Sequence, residues 1–163
     1  MAEALYSLDI LRLSMQLRPD DKLSAPQSTH EVTSRVCGGI LSVELSLDEN
    51  DRISDFAIRA KSCALGQASA AILDRHIIGL NVDEIRVQHA KLLAILGKDE
   101  ATRHHQNNLD NQNSLDNPNS VTDIKVWPEL SFLQSARDYP ARHSAILLPY
   151  DALFGAMEKL KTP

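Results

Sequence analysis

Cys37 and Cys63 are the residues of this 163-residue chain best suited to chemistry. A thiolate is a nucleophile and a soft metal ligand, so each is a candidate for metal binding, sulfur transfer or redox exchange. Gly38-Gly39 follows Cys37 directly, letting the backbone turn tightly and leaving room for a group to approach the sulfur. Cys63 stands where a helix is expected to begin, and the unpaired N–H groups of a helix start favour thiolate. The bland alternative is that free cysteines are common core residues.

Six histidines offer nitrogen ligands. His143 is the candidate among them. It sits in Tyr139-Pro140-Ala141-Arg142-His143-Ser144, which reads as a short connector before the last helix. His104 and His105 lie in a polar stretch and read as solvated, His89 falls on an apolar helix face, and His30 and His76 have no informative context. There is no phosphate-binding glycine loop, no G-x-S-x-G, no H-E-x-x-H and no C-x-x-C, so a hydrolase or nucleotide enzyme finds no support.

The elements that must position these residues are legible in the periodicity. Leu41, Val43, Leu45 and Leu47 alternate with polar residues as a half-buried strand does. Asp48-Glu49-Asn50-Asp51 is a turn, and Phe56, Ile58 and Ala60 line one face of a second strand. One strand of this hairpin leaves Cys37 and the other returns to Cys63, so both thiols are expected at the same end of a sheet. Ser62 is the expected N-cap of a small-residue helix from Cys63 to Ile78. Asn81 caps another, with Ile85, His89, Leu92 and Leu96 on its inner face.

A helix from about Glu3 to Leu17 has apolar residues over a wide arc, and residues 19–35 read as an ordered loop with room for a short strand. The stretch 99–123 holds six of the eight asparagines, too little apolar surface to offset its ordering entropy, and is expected to be a mobile insertion. A short helix through about Ala136 follows, and the last helix is expected to start at Pro149, since proline suits a first helical position. The order predicts a single α+β domain over 1–163, with helices on one face of a small antiparallel sheet of about three strands.

Composition narrows the functions. Seventeen basic against twenty-two acidic residues leave a charge of −5, the wrong balance for a nucleic-acid binder. No apolar run reaches the length of a membrane span, and the first residues lack the pattern of a secretory signal. With only two cysteines, the expectation is a cytoplasmic protein with free thiols, contacting neither nucleic acid nor membrane.

The stretch from Cys37-Gly38-Gly39-Ile40 through Asp83-Glu84-Ile85 resembles the U-type iron–sulfur cluster assembly scaffolds, the IscU/NifU N-terminal family. Lys61-Ser62-Cys63, the helix Cys63-Ala64-Leu65-Gly66-Gln67-Ala68-Ser69-Ala70, and Ile78-Gly79-Leu80-Asn81 carry the likeness. Tyr6-Ser7, Pro140-Ala141-Arg142 and Ile146–Leu153 extend it over most of the chain outside 99–123. The resemblance implies a non-enzymatic scaffold with an IscU/SufE-like two-layer fold, working with a cysteine desulfurase and with cluster acceptors or a chaperone. Its site would hold a [2Fe–2S] cluster, iron or zinc through three cysteines and an aspartate. Cys37 and Cys63 match two of these cysteines, Gly39 stands at the aspartate and Ala145 at the third cysteine. His143 is the expected substitute, since imidazole replaces thiolate in some clusters. Arg142 matches a basic position beside the site. Two alternatives remain: a degenerate paralogue that only binds a desulfurase or chaperone, and a sulfurtransferase carrying persulfide on Cys63.

Overall fold

The computed structural model describes residues 5–98 and 124–161; the stretch 99–123, with His104 and His105, lies outside them. Three strands, β1 (Ser28–Thr33), β2 (Ile40–Leu47) and β3 (Ile53–Lys61), form an antiparallel sheet in that order. Ile40 pairs with Lys61 at one end of the hairpin and Leu47 with Ile53 at the other. The short strand allowed for within residues 19–35 is β1, an edge strand paired from Ser28–Leu45 to Thr33–Ile40. Val32 is its one apolar residue, so its hydrophobicity pattern is weak.

Cross-strand neighbours Leu41, Val43, Leu45, Phe56 and Ile58 point inward and are buried. Helix α2 (Ala64–His76) lies against β3, and the long helix α4 (Pro140–Lys161) lies across β1 and β2 and beside α2. Helix α3 (Val82–Ile95) follows, capped by Asn81, whose side chain accepts from the Glu84 N–H while Glu84 accepts from the Asn81 N–H. The segment Pro128–Ala136 is a 3₁₀ helix, held at its entrance by the Gln88 side-chain amide bridging Lys125 and Trp127. These elements bury one shared hydrophobic cluster among the described residues.

Two helices differ from expectation. Helix α1 spans only Leu8–Ser14, because the Ser7 hydroxyl caps it by accepting from the Ile10 N–H. Ile10 and Leu13 are buried, while Leu8, Leu11 and Met15 stay exposed, so one of its two apolar faces is unused. Helix α4 begins at Pro140, not Pro149, and runs through the second proline. Pro140 starts the helix as a first-turn proline should. Pro149 has no N–H for the Ala145 carbonyl, removing one bond from the helix interior. Its burial and that of Ile146, Leu148, Tyr150, Leu153 and Ala156 along the helix keep the helix together. From α2, the Ser69 hydroxyl donates to the neighbouring Ile146 carbonyl at 2.6 Å.

Candidate functional site

Cys37 stands at the tip of the turn between β1 and β2. Two backbone bonds close that turn, Ser34 N–H to Gly39 O at 2.8 Å and Gly38 N–H to Ser34 O at 2.9 Å, with Gly38 at φ +70°. The Ser34 hydroxyl oxygen accepts from the N–H groups of Val36 and Cys37, each at 3.3 Å. It also meets Ser144 of α4, oxygen to oxygen, at 3.3 Å. The Cys37 thiol is exposed. The Ser34 hydroxyl holds it below its usual range, against a smaller opposing effect of burial, with help from the Gly39 and Cys37 amides and the Ser144 hydroxyl.

Cys63 is itself the N-cap of α2, one residue later than the expected Ser62, and its side chain makes no capping hydrogen bond. Its thiol is free and half-buried. Since Ile40 pairs with Lys61, Cys37 and Cys63 flank the same end of the sheet. Between them, the Ser62 Oγ is buried and has no hydrogen-bond partner.

His143 lies within α4, not in a connector, and is 3 % exposed. Its Nε2 is 2.8 Å from the Ala136 carbonyl, which can only accept, so Nε2 carries the proton. Nδ1 is then a bare acceptor, buried and unpartnered. Among the described residues, no three His, Cys, Asp or Glu side chains converge as a metal-holding group, so His143 is not gathered with the two sulfurs. Ala145 is fully buried, and Arg142 is exposed.

The other described histidines have structural surroundings. His76 bonds Glu129 at 2.9 Å and stacks on Trp127. His89 packs on Tyr150 and Phe154, and burial lowers its pKa. His30 lies so close to Gly155 that a side chain there would collide with its ring. Sequence reasoning missed Ser34 and Ser144 as neighbours of the Cys37 sulfur. Ser34, three residues before Cys37, is visible as a turn-forming serine; nothing in the sequence points to Ser144, which reaches the site only through the packing of α4.

Two free thiols at one end of a three-stranded sheet, backed on one face by helices, define a two-layer α+β protein with a sulfur site at its rim. The chain belongs to the NifU-like N terminal domain family, whose model matches residues 6–118. Among solved structures it is similar to a nitrogen-fixing NifU-like protein (N-terminal) from Brucella abortus. That chain is 25% identical, with 96% of this chain and 94% of that one covered, at a TM-score of 0.73. It is also similar to a protein assigned as an iron–sulfur cluster assembly scaffold for the SUF system of thermophilic Fervidobacterium islandicum AW-1. There the identity is 24%, the coverage 94% and 96%, and the TM-score 0.68. The family model stops before α4, and the likeness of structures extends the fold over that helix. No curated protein matches the sequence. Among the described residues, no helix is long and apolar enough to cross a membrane.

Proposed function

We propose that this chain is an iron–sulfur cluster assembly scaffold, holding iron or a transient [2Fe–2S] cluster, or zinc, through Cys37, Cys63 and His143. The pair of free thiols at one end of the sheet, in a chain of the NifU-like family, carries this reading. The chain is not an enzyme: a scaffold receives and releases its cargo without transforming a substrate. Two thiolates supply half of a four-ligand set. His143 supports a third corner, because a ligating imidazole gives its other N–H to a carbonyl, as Nε2 does to Ala136. Reaching the sulfurs requires the first turns of α4 to shift as cargo enters. Exposed Arg35, Lys61 and Arg142 add positive charge, favourable to anionic sulfide or persulfide. The partners are a cysteine desulfurase as sulfur donor and a cluster acceptor or chaperone as recipient.

Anaerobic reconstitution with iron and sulfide is expected to give a visible chromophore. The Cys37→Ser, Cys63→Ser double variant should lose it, and a chromophore retained there overturns the reading. The lack of a three-donor His/Cys/Asp/Glu group among the described residues favours a second reading, a paralogue that binds desulfurase or chaperone without cargo. Under it, the wild type gives no chromophore, and desulfurase capture is equal with both cysteines replaced.

A further inference from the structure

Ser62 is placed in an unusual way. Its Oγ is buried, has no hydrogen-bond partner, and lies between two glycines that make room for it. A Cβ on Gly39 would stand 3.3 Å from this oxygen, 3.3 Å from the Cys37 sulfur and 3.5 Å from the Lys61 carbonyl. A Cβ on Gly66 would overlap the Ser62 hydroxyl and crowd the Ala145 carbonyl at 3.1 Å. The oxygen and the Cys37 sulfur therefore face the same point beside Gly39, where the β1–β2 turn, the end of β3 and the start of α2 meet and a single added carbon would already be tight. Buried hydroxyls in folded proteins nearly always have partners, so an orphan beside an exposed thiol points to a ligand.

We propose that Ser62 is a further donor of this site, its Oγ joining the sulfurs of Cys37 and Cys63 around a divalent thiophilic metal ion or one iron of a cluster. This rests on the scaffold reading above. The hydroxyl binds through a lone pair and keeps its proton, while the two thiols release theirs to solvent as the metal binds. A neutral oxygen is a weaker ligand than thiolate for such a metal, leaving a corner that opens readily when cargo leaves. The oxygen already lies beside the Cys37 sulfur and is adjacent in sequence to Cys63, so bringing this donor to a metal involves the β1–β2 turn and the start of α2 rather than α4.

The test uses Co²⁺ as probe on the full chain, anaerobically, because sulfur-to-cobalt charge-transfer intensity counts the thiolates bound. Wild type should show a two-thiolate band. Ser62→Ala should keep that band but bind Co²⁺ roughly tenfold or more weakly, in the range seen when a metal site loses a supporting polar group. Ser62→Cys should raise the band by about half, to three thiolates. Since Ser62 Oγ makes no hydrogen bond in the fold, neither variant should melt differently without metal. Unchanged affinity in Ser62→Ala, or a band still at two thiolates in Ser62→Cys, overturns the inference while the scaffold reading stands. Absence of Co²⁺ binding in the wild type, or binding that survives Cys37→Ser with Cys63→Ser, overturns both.

Discussion

The two ends of the sheet are built to opposite rules. At the hairpin end the local polar groups are paired. The Asp48 carboxylate accepts from the Asn50 and Arg52 amides at 2.8 and 3.0 Å. The Arg52 guanidinium donates to the Gly79 carbonyl and to Glu84, and Glu84 closes the capping box of α3 with Asn81. At the cysteine end the helix cap makes no side-chain bond, one thiol is exposed and the Ser62 hydroxyl is an orphan. One end spends its polar groups on holding the chain together. The other engages Ser34 but leaves the Ser62 hydroxyl and the cap of α2 without side-chain bonds, which keeps ligand atoms free beside the sulfurs.

Substitutions can break or sharpen this contrast. Arg52→Ala should cost the most, about 2 kcal/mol by denaturant unfolding, because it strips a charged donor from Gly79 and Glu84. Asn81→Ala should cost about 1 kcal/mol by loss of the cap of α3. Cys63→Ser should go the other way: serine caps a helix where the thiol does not, so metal-free protein should gain about 0.5 kcal/mol while cargo binding is lost. An equal loss of stability at both ends would remove the contrast. The finest test is alkylation. Because the Ser34 hydroxyl holds the Cys37 thiol low, thiolate forms at lower pH than usual. Ser34→Ala should move the pH profile of Cys37 alkylation upward and slow the reaction severalfold at neutral pH, followed by mass spectrometry.

The sequence made the hairpin and α3 legible because local signals carried both. Alternation marks Leu41 to Leu47, and an Asn-to-Glu capping pair marks the start of α3. The placement of both cysteines at one end of the sheet follows from the hairpin alone. Strand β1 falls where residues 19–35 left room for a short strand, but its bounds come only from pairing with β2, because its residues are mostly polar. The course of α4 departs from expectation at Pro149, because a proline that usually opens a helix here lies inside one that packing holds together. The company around the sulfurs was the least legible part. Ser144 meets Ser34 across 110 residues, and the orphaned state of Ser62 depends on two glycines that only the folded chain brings to it.

The proline inside α4 has a mechanical consequence. With the Ala145 carbonyl deprived of its helical partner, the weakest joint of α4 lies at Pro149, between an N-terminal and a C-terminal rod. The C-terminal rod is bolted to β1, by Ser28 Oγ to the Ala156 carbonyl at 2.6 Å and by Lys159 to the Thr29 carbonyl at 2.7 Å. The N-terminal rod, residues 140–148, carries His143 and Ser144. It is held to α2 by the Ser69 hydroxyl at the Ile146 carbonyl, and loading with metal should raise amide-exchange protection in that rod while leaving 150–161 unchanged.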